Sequence, residues 1–153
     1  MSDKKVYMSF STDIIHGGHI KIIQKAAALG KLTVGVLTDE VVASFKNFPL
    51  LTYDERAEII KNIKGVAEVV PQDTLSYSKN IEKYKPDIIV HGDDWQTGFQ
   101  KVVRDETVAL LQKYGGELIE FPYSSNEQYS ALEQASRDKL SIPDIRRGRL
   151  KKL

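Results

Sequence analysis

Five short β-rich runs alternate with longer segments of helical period, and this alternation limits the fold more than any other feature of the chain. Residues 6–10 (VYMSF), 32–37 (LTVGVL), 66–70 (VAEVV), 87–90 (DIIV) and 117–121 (ELIEF) read as strands, with Pro71 expected to close the third. Between the first two, Ile20, Ile22, Ile23, Ala26, Ala27 and Leu29 recur at helical spacing, with Gly30 as the expected stop. Residues 52–63 open on a capping box, Thr52 with Glu55. Residues 78–84 read as a helix that Pro86 stops, and 101–114 as one that Gly115 and Gly116 end. Parallel strands need crossover connections, which are usually helical. The expected fold is therefore α/β, a doubly wound parallel five-stranded sheet.

In such sheets ligands bind outside the carboxyl ends of the strands, where strand order reverses. Polar clusters fall at those ends: STDIIHGGH after the first strand, TDE after the second, GDDW after the fourth and YSSN after the fifth. A chain of 153 residues is long enough for one compact domain. A net charge of +1 provides no basic field for nucleic acid, and any ligand must be recognised locally. The absence of cysteine excludes disulfides, thiolate catalysis and cysteine-ligated metals. No apolar run approaches a membrane span and the first residues lack a signal-peptide core, so a cytoplasmic protein without membrane contact is expected.

Two of the three histidines, His16 and His19, flank Gly17 and Gly18 where strand turns to helix. Three apart in a first helical turn, both rings can face one ligand. The free amides and dipole of that helix end favour an anion, and Gly18 lets a phosphate approach the backbone. The residues alone leave two alternatives: a hydrogen-bonding histidine at the helix start beside a surface histidine, or, less favoured, a zinc site that lacks obvious third and fourth ligands.

With Asp13, His16, Gly18 and His19 in STD-II-HGGH, the chain resembles the cytidylyltransferase branch of the HxGH nucleotidyltransferase superfamily. Gly92-Asp93-Asp94-Trp95 is similar to the GDDW block of its glycerol-3-phosphate cytidylyltransferases. Lys46 and TYDER, ending at Arg56, resemble their lysine and Y-x-x-R elements, in the same order across residues 4–121. The resemblance implies a Rossmann-like nucleotidyltransferase fold and transfer of a cytidylyl group from CTP to a small phosphate or phosphonate acceptor, releasing pyrophosphate. It makes His16, His19 and Lys46 the catalytic residues, with Ser11, Thr12, Asp13, Gly18, Gly92 and Asp93 on the nucleotide. Arg56, Asp94 and Trp95 would meet the acceptor, Mg²⁺ would be the cofactor, and a homodimer the assembly. Asp13 would orient a donor or help place Mg²⁺, or else form an Asx turn or cap. Arg56 would contact phosphate or acceptor, or form an exposed pair with Glu55 or Glu58. His91 is expected to be structural.

The chain departs from the family pattern at two places. Phe10 stands where a glycine is usual, and the RTEGISTT block after the last strand is replaced by residues 123–130 (YSSNEQYS). Tyr123 takes the place of an arginine and would face the acceptor, while Ser124, Ser125 and Ser130 would serve the nucleotide as hydroxyl donors. A phenol cannot replace a bidentate guanidinium. Residues 1–141 are expected to form the catalytic domain. The basic stretch 142–153 resembles the run that leads into a fused phosphoenolpyruvate mutase, which points to a phosphonate acceptor such as 2-aminoethylphosphonate and to the N-terminal domain of a longer protein.

Overall fold

The computed structural model describes residues 3–12, 14–45 and 49–122, with residues 131, 134 and 135. Strands β1 (Lys5–Phe10), β2 (Lys31–Leu37), β3 (Val66–Gln72), β4 (Ile88–Gly92) and β5 (Glu117–Phe121) alternate with helices α1 (Gly17–Ala27), α2 (Asp39–Phe45), α3 (Tyr53–Lys61), α4 (Ser78–Tyr84) and α5 (Lys101–Tyr114). One turn of 3-10 helix, Asp93–Trp95, follows β4. The strands form a single parallel sheet in the order β3-β2-β1-β4-β5, the expected doubly wound arrangement. Strand order reverses between β1 and β4, which opens a crevice above their carboxyl ends.

The central strands are apolar on both sides, and their alternation distributes side chains to two helical layers. From β1, Val6, Met8 and Phe10 join Ile23 and Ala26 of α1 and Ile60 of α3. Tyr7 enters the opposite layer with Ile81 of α4 and Leu111 of α5. Strand β4 repeats the division, with Ile88 and Val90 on one side and Ile89 on the other. Each such burial is worth about 1.5–3 kcal/mol, so the two central strands hold both layers to one sheet.

A polar knot lies inside the second layer. The Tyr7 hydroxyl donates to Gln72 Oε1 at 2.5 Å and accepts from Asn80 Nδ2 at 2.8 Å. Gln72 Nε2 donates in turn to the Thr74 carbonyl at 3.0 Å. Burial pushes the Tyr7 phenol far above its ordinary pKa, so it stays a neutral donor. Gly35 of β2 makes the space: a Cβ there would sit 1.8 Å from the Tyr7 hydroxyl.

Several local expectations change. Strand β3 runs through Pro71 to Gln72, with Pro71 opposite Val36. Because β3 is an edge strand paired on one side only, the missing N–H is tolerated. The TDE cluster is not a loop, since Asp39 and Glu40 form the acidic first turn of α2. Seven residues are fewer than two turns, too few for a helical period to show. Strand β4 begins one residue later than expected and continues through His91 to Gly92. Helix α1 ends at Ala27, short of Gly30, whose absent Cβ instead lets the Lys4 carbonyl approach to where a side chain would lie at 2.3 Å. Both Thr52 and Glu55 close the expected capping box of α3. No helix among the described residues is long and apolar enough to cross a membrane.

Because the Tyr7 hydroxyl is held from two sides, it cannot swing away from an added methyl. The substitution Gly35→Ala is expected to lower the unfolding free energy by about 1–3 kcal/mol, as overpacking of a filled interior does. Urea denaturation of the two proteins measures it, and an unchanged midpoint would refute the tight fit.

Candidate active site

The loop leaving β1 reaches α1 at His16, which is the N-cap of the helix with extended backbone. Its Nδ1 accepts from Gly18 N–H at 3.0 Å, and His19 Nδ1 accepts from His16 N–H at 3.2 Å. The two imidazoles thus form a reciprocal capping box, the roles usually taken by Ser or Thr and Glu. A ring that accepts at Nδ1 carries its proton on Nε2 when neutral, so both rings hold Nε2–H donors. They stack at 3.9 Å with planes 29° apart. Phe10, standing where glycine was expected, meets His19 edge-on at 5.5 Å. Serving the helix start and facing a ligand are therefore not alternatives for His16: the cap bond is what orients its ring.

Thr12 is tied into the same loop, its hydroxyl donating to the Ile14 carbonyl and accepting from Ile14 N–H. Across the crevice, Gly92 is buried at the end of β4 and precedes the turn that carries Asp93 and Asp94, both exposed, and Trp95, buried. Glu120 of β5 holds that turn. Its carboxylate accepts from Trp95 Nε1 at 2.6 Å, from Gln96 Nε2 at 3.1 Å, and from Arg104 Nε and Nη2 at 2.9 and 2.8 Å. The Arg104 guanidinium, with help from Trp95 and Gln96, lowers the Glu120 pKa to about 2. Sequence reasoning passed over Glu120 and Arg104. They lie 16 positions apart, on β5 and α5, and share no motif.

Between these loops lies a pocket of about 80 Å³. Ser9, Ser11, Gln72, Tyr77, His91 and Gln100 line it with polar groups. Leu37, Phe45, Leu75, Trp95 and Val103 supply the apolar walls. Ser9 and Tyr77 share a 2.5 Å hydrogen bond, and burial pushes the Tyr77 pKa up to about 12. His91, expected to be structural, has its ring parallel to Trp95 at 3.6 Å and 4° and donates from Nδ1 to the Gly92 carbonyl at 2.8 Å. Burial pulls its pKa below the ordinary histidine value, against the opposing pull of the Gly92 carbonyl and Asp94.

Arg56 is not the exposed partner of Glu55 or Glu58 that the sequence allowed. It is buried, donating from Nη2 to Asp39 at 2.7 Å and from Nε to the Leu51 carbonyl at 3.1 Å. Burial follows from its face of α3, shared with Ile60 four residues on. Its Nη1 is sealed from solvent without a hydrogen-bond partner. The fold brings His16, His19, Ser11, Gly92, Asp93, Asp94 and Trp95 to one edge of the sheet, while Arg56 reaches that edge through Asp39 at the start of α2. Asp13, Lys46, Tyr123, Ser124, Ser125 and Ser130 lie outside the described residues, as does the basic stretch 142–153. Among the described residues, no three His, Asp or Glu side chains come together as a metal cage. Mg²⁺ needs fewer protein donors than that when substrate phosphates supply the rest, so a site built on one or two carboxylates remains compatible with this edge.

The Glu120 cluster makes stability depend on acid. A carboxyl whose folded pKa is about 2 against an ordinary 4.5 stabilises fully above pH 4.5 and loses that contribution as pH falls toward 2. Glu120→Gln is expected to flatten the stability curve across that window and to shift the emission of Trp95, the sole tryptophan, to the red. Urea titrations followed by that emission test it, and equal pH slopes in the two proteins would contradict the cluster.

A family model described as cytidylyltransferase-like matches residues 11–147. The chain is 36% identical over 115 residues to a glycerol-3-phosphate cytidylyltransferase of Bacillus subtilis, covering 74% of this chain and 89% of that protein. It is 35% identical over 96 residues to an ethanolamine-phosphate cytidylyltransferase of Arabidopsis thaliana, covering 59% of this chain but only 23% of that longer relative. Among solved structures, a lipopolysaccharide core biosynthesis protein from Thermoplasma volcanium shares the fold, with a TM-score of 0.65 at 24% identity over 81% of this chain and 98% of that one. With a family model across most of its length, the chain belongs to the cytidylyltransferase-like family.

Proposed function

We propose that this chain transfers a cytidylyl group from CTP to a small acceptor bearing a phosphate or phosphonate, with 2-aminoethylphosphonate as the leading acceptor. The observation that carries the reading is the histidine capping box: two Nε2–H donors of fixed tautomer at the N-terminus of an eleven-residue helix, beside the reversal of strand order. An oxygen of the acceptor attacks the α-phosphorus of CTP in line. A new P–O bond forms as the bond to the β-phosphate oxygen breaks, and pyrophosphate leaves with the displaced electron pair. No covalent enzyme intermediate is needed, so positioning and charge stabilisation carry the rate.

His16 and His19 donate to phosphate oxygens as charge builds, supported by the helix dipole. By resemblance, Lys46 neutralises the transferring group, while Asp93, Gly92 and Ser11 face the nucleotide side. Asp94 and Trp95 face the acceptor, with Arg56 holding the start of α2 beneath it. Asp13 is the candidate carboxylate that would hold Mg²⁺ together with substrate phosphates, and the ion would supply further charge neutralisation. The phosphonate rests on the replaced residues 123–130 and on the basic stretch after 141. The Bacillus subtilis relative, matched over most of its length, favours glycerol-3-phosphate as a second acceptor reading. Phosphocholine is a further candidate, a nucleotide-binding module without turnover is the non-catalytic reading, and a homodimer is the assembly expected by family analogy.

His16→Asn separates the cap from the chemistry, because asparagine is itself a good N-cap. Stability is expected to hold within about 0.5 kcal/mol while turnover falls on the order of a hundredfold, the usual effect of removing one well-aimed donor. Pyrophosphate release from CTP with each acceptor measures it; chelation of Mg²⁺ should abolish the signal, and ATP should replace CTP poorly. CTP binding without turnover on any acceptor would favour the non-catalytic module.

A further inference from the structure

The pocket between the β1 loop and the 3-10 turn has an uneven inventory of hydrogen-bonding groups. Among the described residues that line it, none is a lysine, arginine, aspartate or glutamate, so none of those side chains offers a charge to a phosphorus-bound oxyanion. Its volume of about 80 Å³ holds a short chain, roughly five to eight non-hydrogen atoms at 10–15 Å³ for each water-sized group. The anionic end of an acceptor belongs with the helix N-terminus and the histidine donors, and this pocket fits the other end.

Three of its polar residues are already engaged. Ser9 and Tyr77 bond each other, and Gln72 is used at both amide atoms, by Tyr7 and by the Thr74 carbonyl. His91 is different. Its Nδ1–H is spent on the Gly92 carbonyl, so the neutral ring leaves Nε2 as an acceptor, and that atom is not sealed without a partner inside the protein. The stack on Trp95, itself anchored to Glu120, holds the imidazole in one plane. The Asp94 carboxylate, 3.8 Å from His91 Nδ1, adds negative potential on the same ring. A fixed neutral acceptor among apolar walls rewards a ligand group that donates, and it leaves a methyl group with an unsatisfied imidazole opposite it.

We propose that His91 is a specificity-determining residue of the acceptor pocket, taking through Nε2 a hydrogen bond from an ammonium or hydroxyl carried a few atoms from the phosphorus. This rests on the cytidylyl-transfer reading, but its test needs no turnover. Calorimetry on the full chain compares 2-aminoethylphosphonate and 2-hydroxyethylphosphonate with propylphosphonate, which puts a methyl in the same place, and repeats the comparison with the matching phosphate monoesters. In at least one series the donor-ended ligands should bind at least tenfold more tightly than the methyl-ended one. An ammonium ahead of a hydroxyl would identify an amino acceptor, and the reverse order a polyol. The substitution His91→Phe keeps a flat ring on Trp95 and should cut that preference below twofold while leaving the methyl-ended ligand within twofold of its wild-type affinity. His91→Asn, which restores an acceptor oxygen, should recover part of it. A wild-type protein without the preference in either series, one that binds none of the ligands, or a His91→Phe protein that keeps the preference would each overturn the proposal. Failure to release pyrophosphate, by contrast, would count against the transfer reading alone.

Discussion

Two backbone-to-imidazole hydrogen bonds at the start of α1 set the character of the whole site. Gly18 N–H on His16 and His16 N–H on His19 close orphan donors that every helix start must satisfy, and in doing so they dictate where each ring keeps its proton. The helix would be capped as well by serine and glutamate. With histidines, the same bonds leave an Nε2–H donor on each of two stacked rings at the positive end of a helix dipole. Phe10 supports this pair from β1, edge-on to His19, a contact that a glycine could not make.

The crevice that receives these donors depends on how the sheet is supported beneath it. Tyr7 passes a hydrogen bond to Gln72, at the end of the edge strand, and receives one from Asn80 of α4. Gln72 in turn lines the pocket. Gly35 is the condition for that arrangement, since any side chain there would occupy the space of the Tyr7 hydroxyl. On the opposite wall Glu120 gathers Trp95, Gln96 and Arg104, so the turn after β4 is tied to β5 and α5. The two walls are thus fixed by separate polar clusters, and the pocket lies between them.

Periodicity and end signals made most of the fold legible in the chain. The α3 capping box, the glycine stop of α5 and the five strand positions were all readable, because each depends on residues within a turn or two of one another. What escaped was short or steric. Helix α2 has only seven residues, and β3 carries a proline that its edge position permits. The place of Gly30 is decided by the approach of the Lys4 carbonyl rather than by backbone conformation. At the site, the motifs marked His16, His19 and the GDDW turn, whereas Arg56, expected to meet phosphate or acceptor or else to form an exposed pair, is buried against Asp39, 17 positions away.

The sequence by itself determined the α/β class, the strand ends that carry polar clusters, and the HxGH and GDDW elements through which the chain resembles the cytidylyltransferases. These are written in local spacing, which a linear chain can hold. Only the tertiary structure decided which ring nitrogens carry protons, that His91 stacks on Trp95 at the pocket wall, and that Glu120 anchors the turn from 25 positions away. Those outcomes follow from hydrogen bonds and ring contacts between segments that meet only when the sheet assembles. No local pattern specifies a partner whose identity depends on strand order.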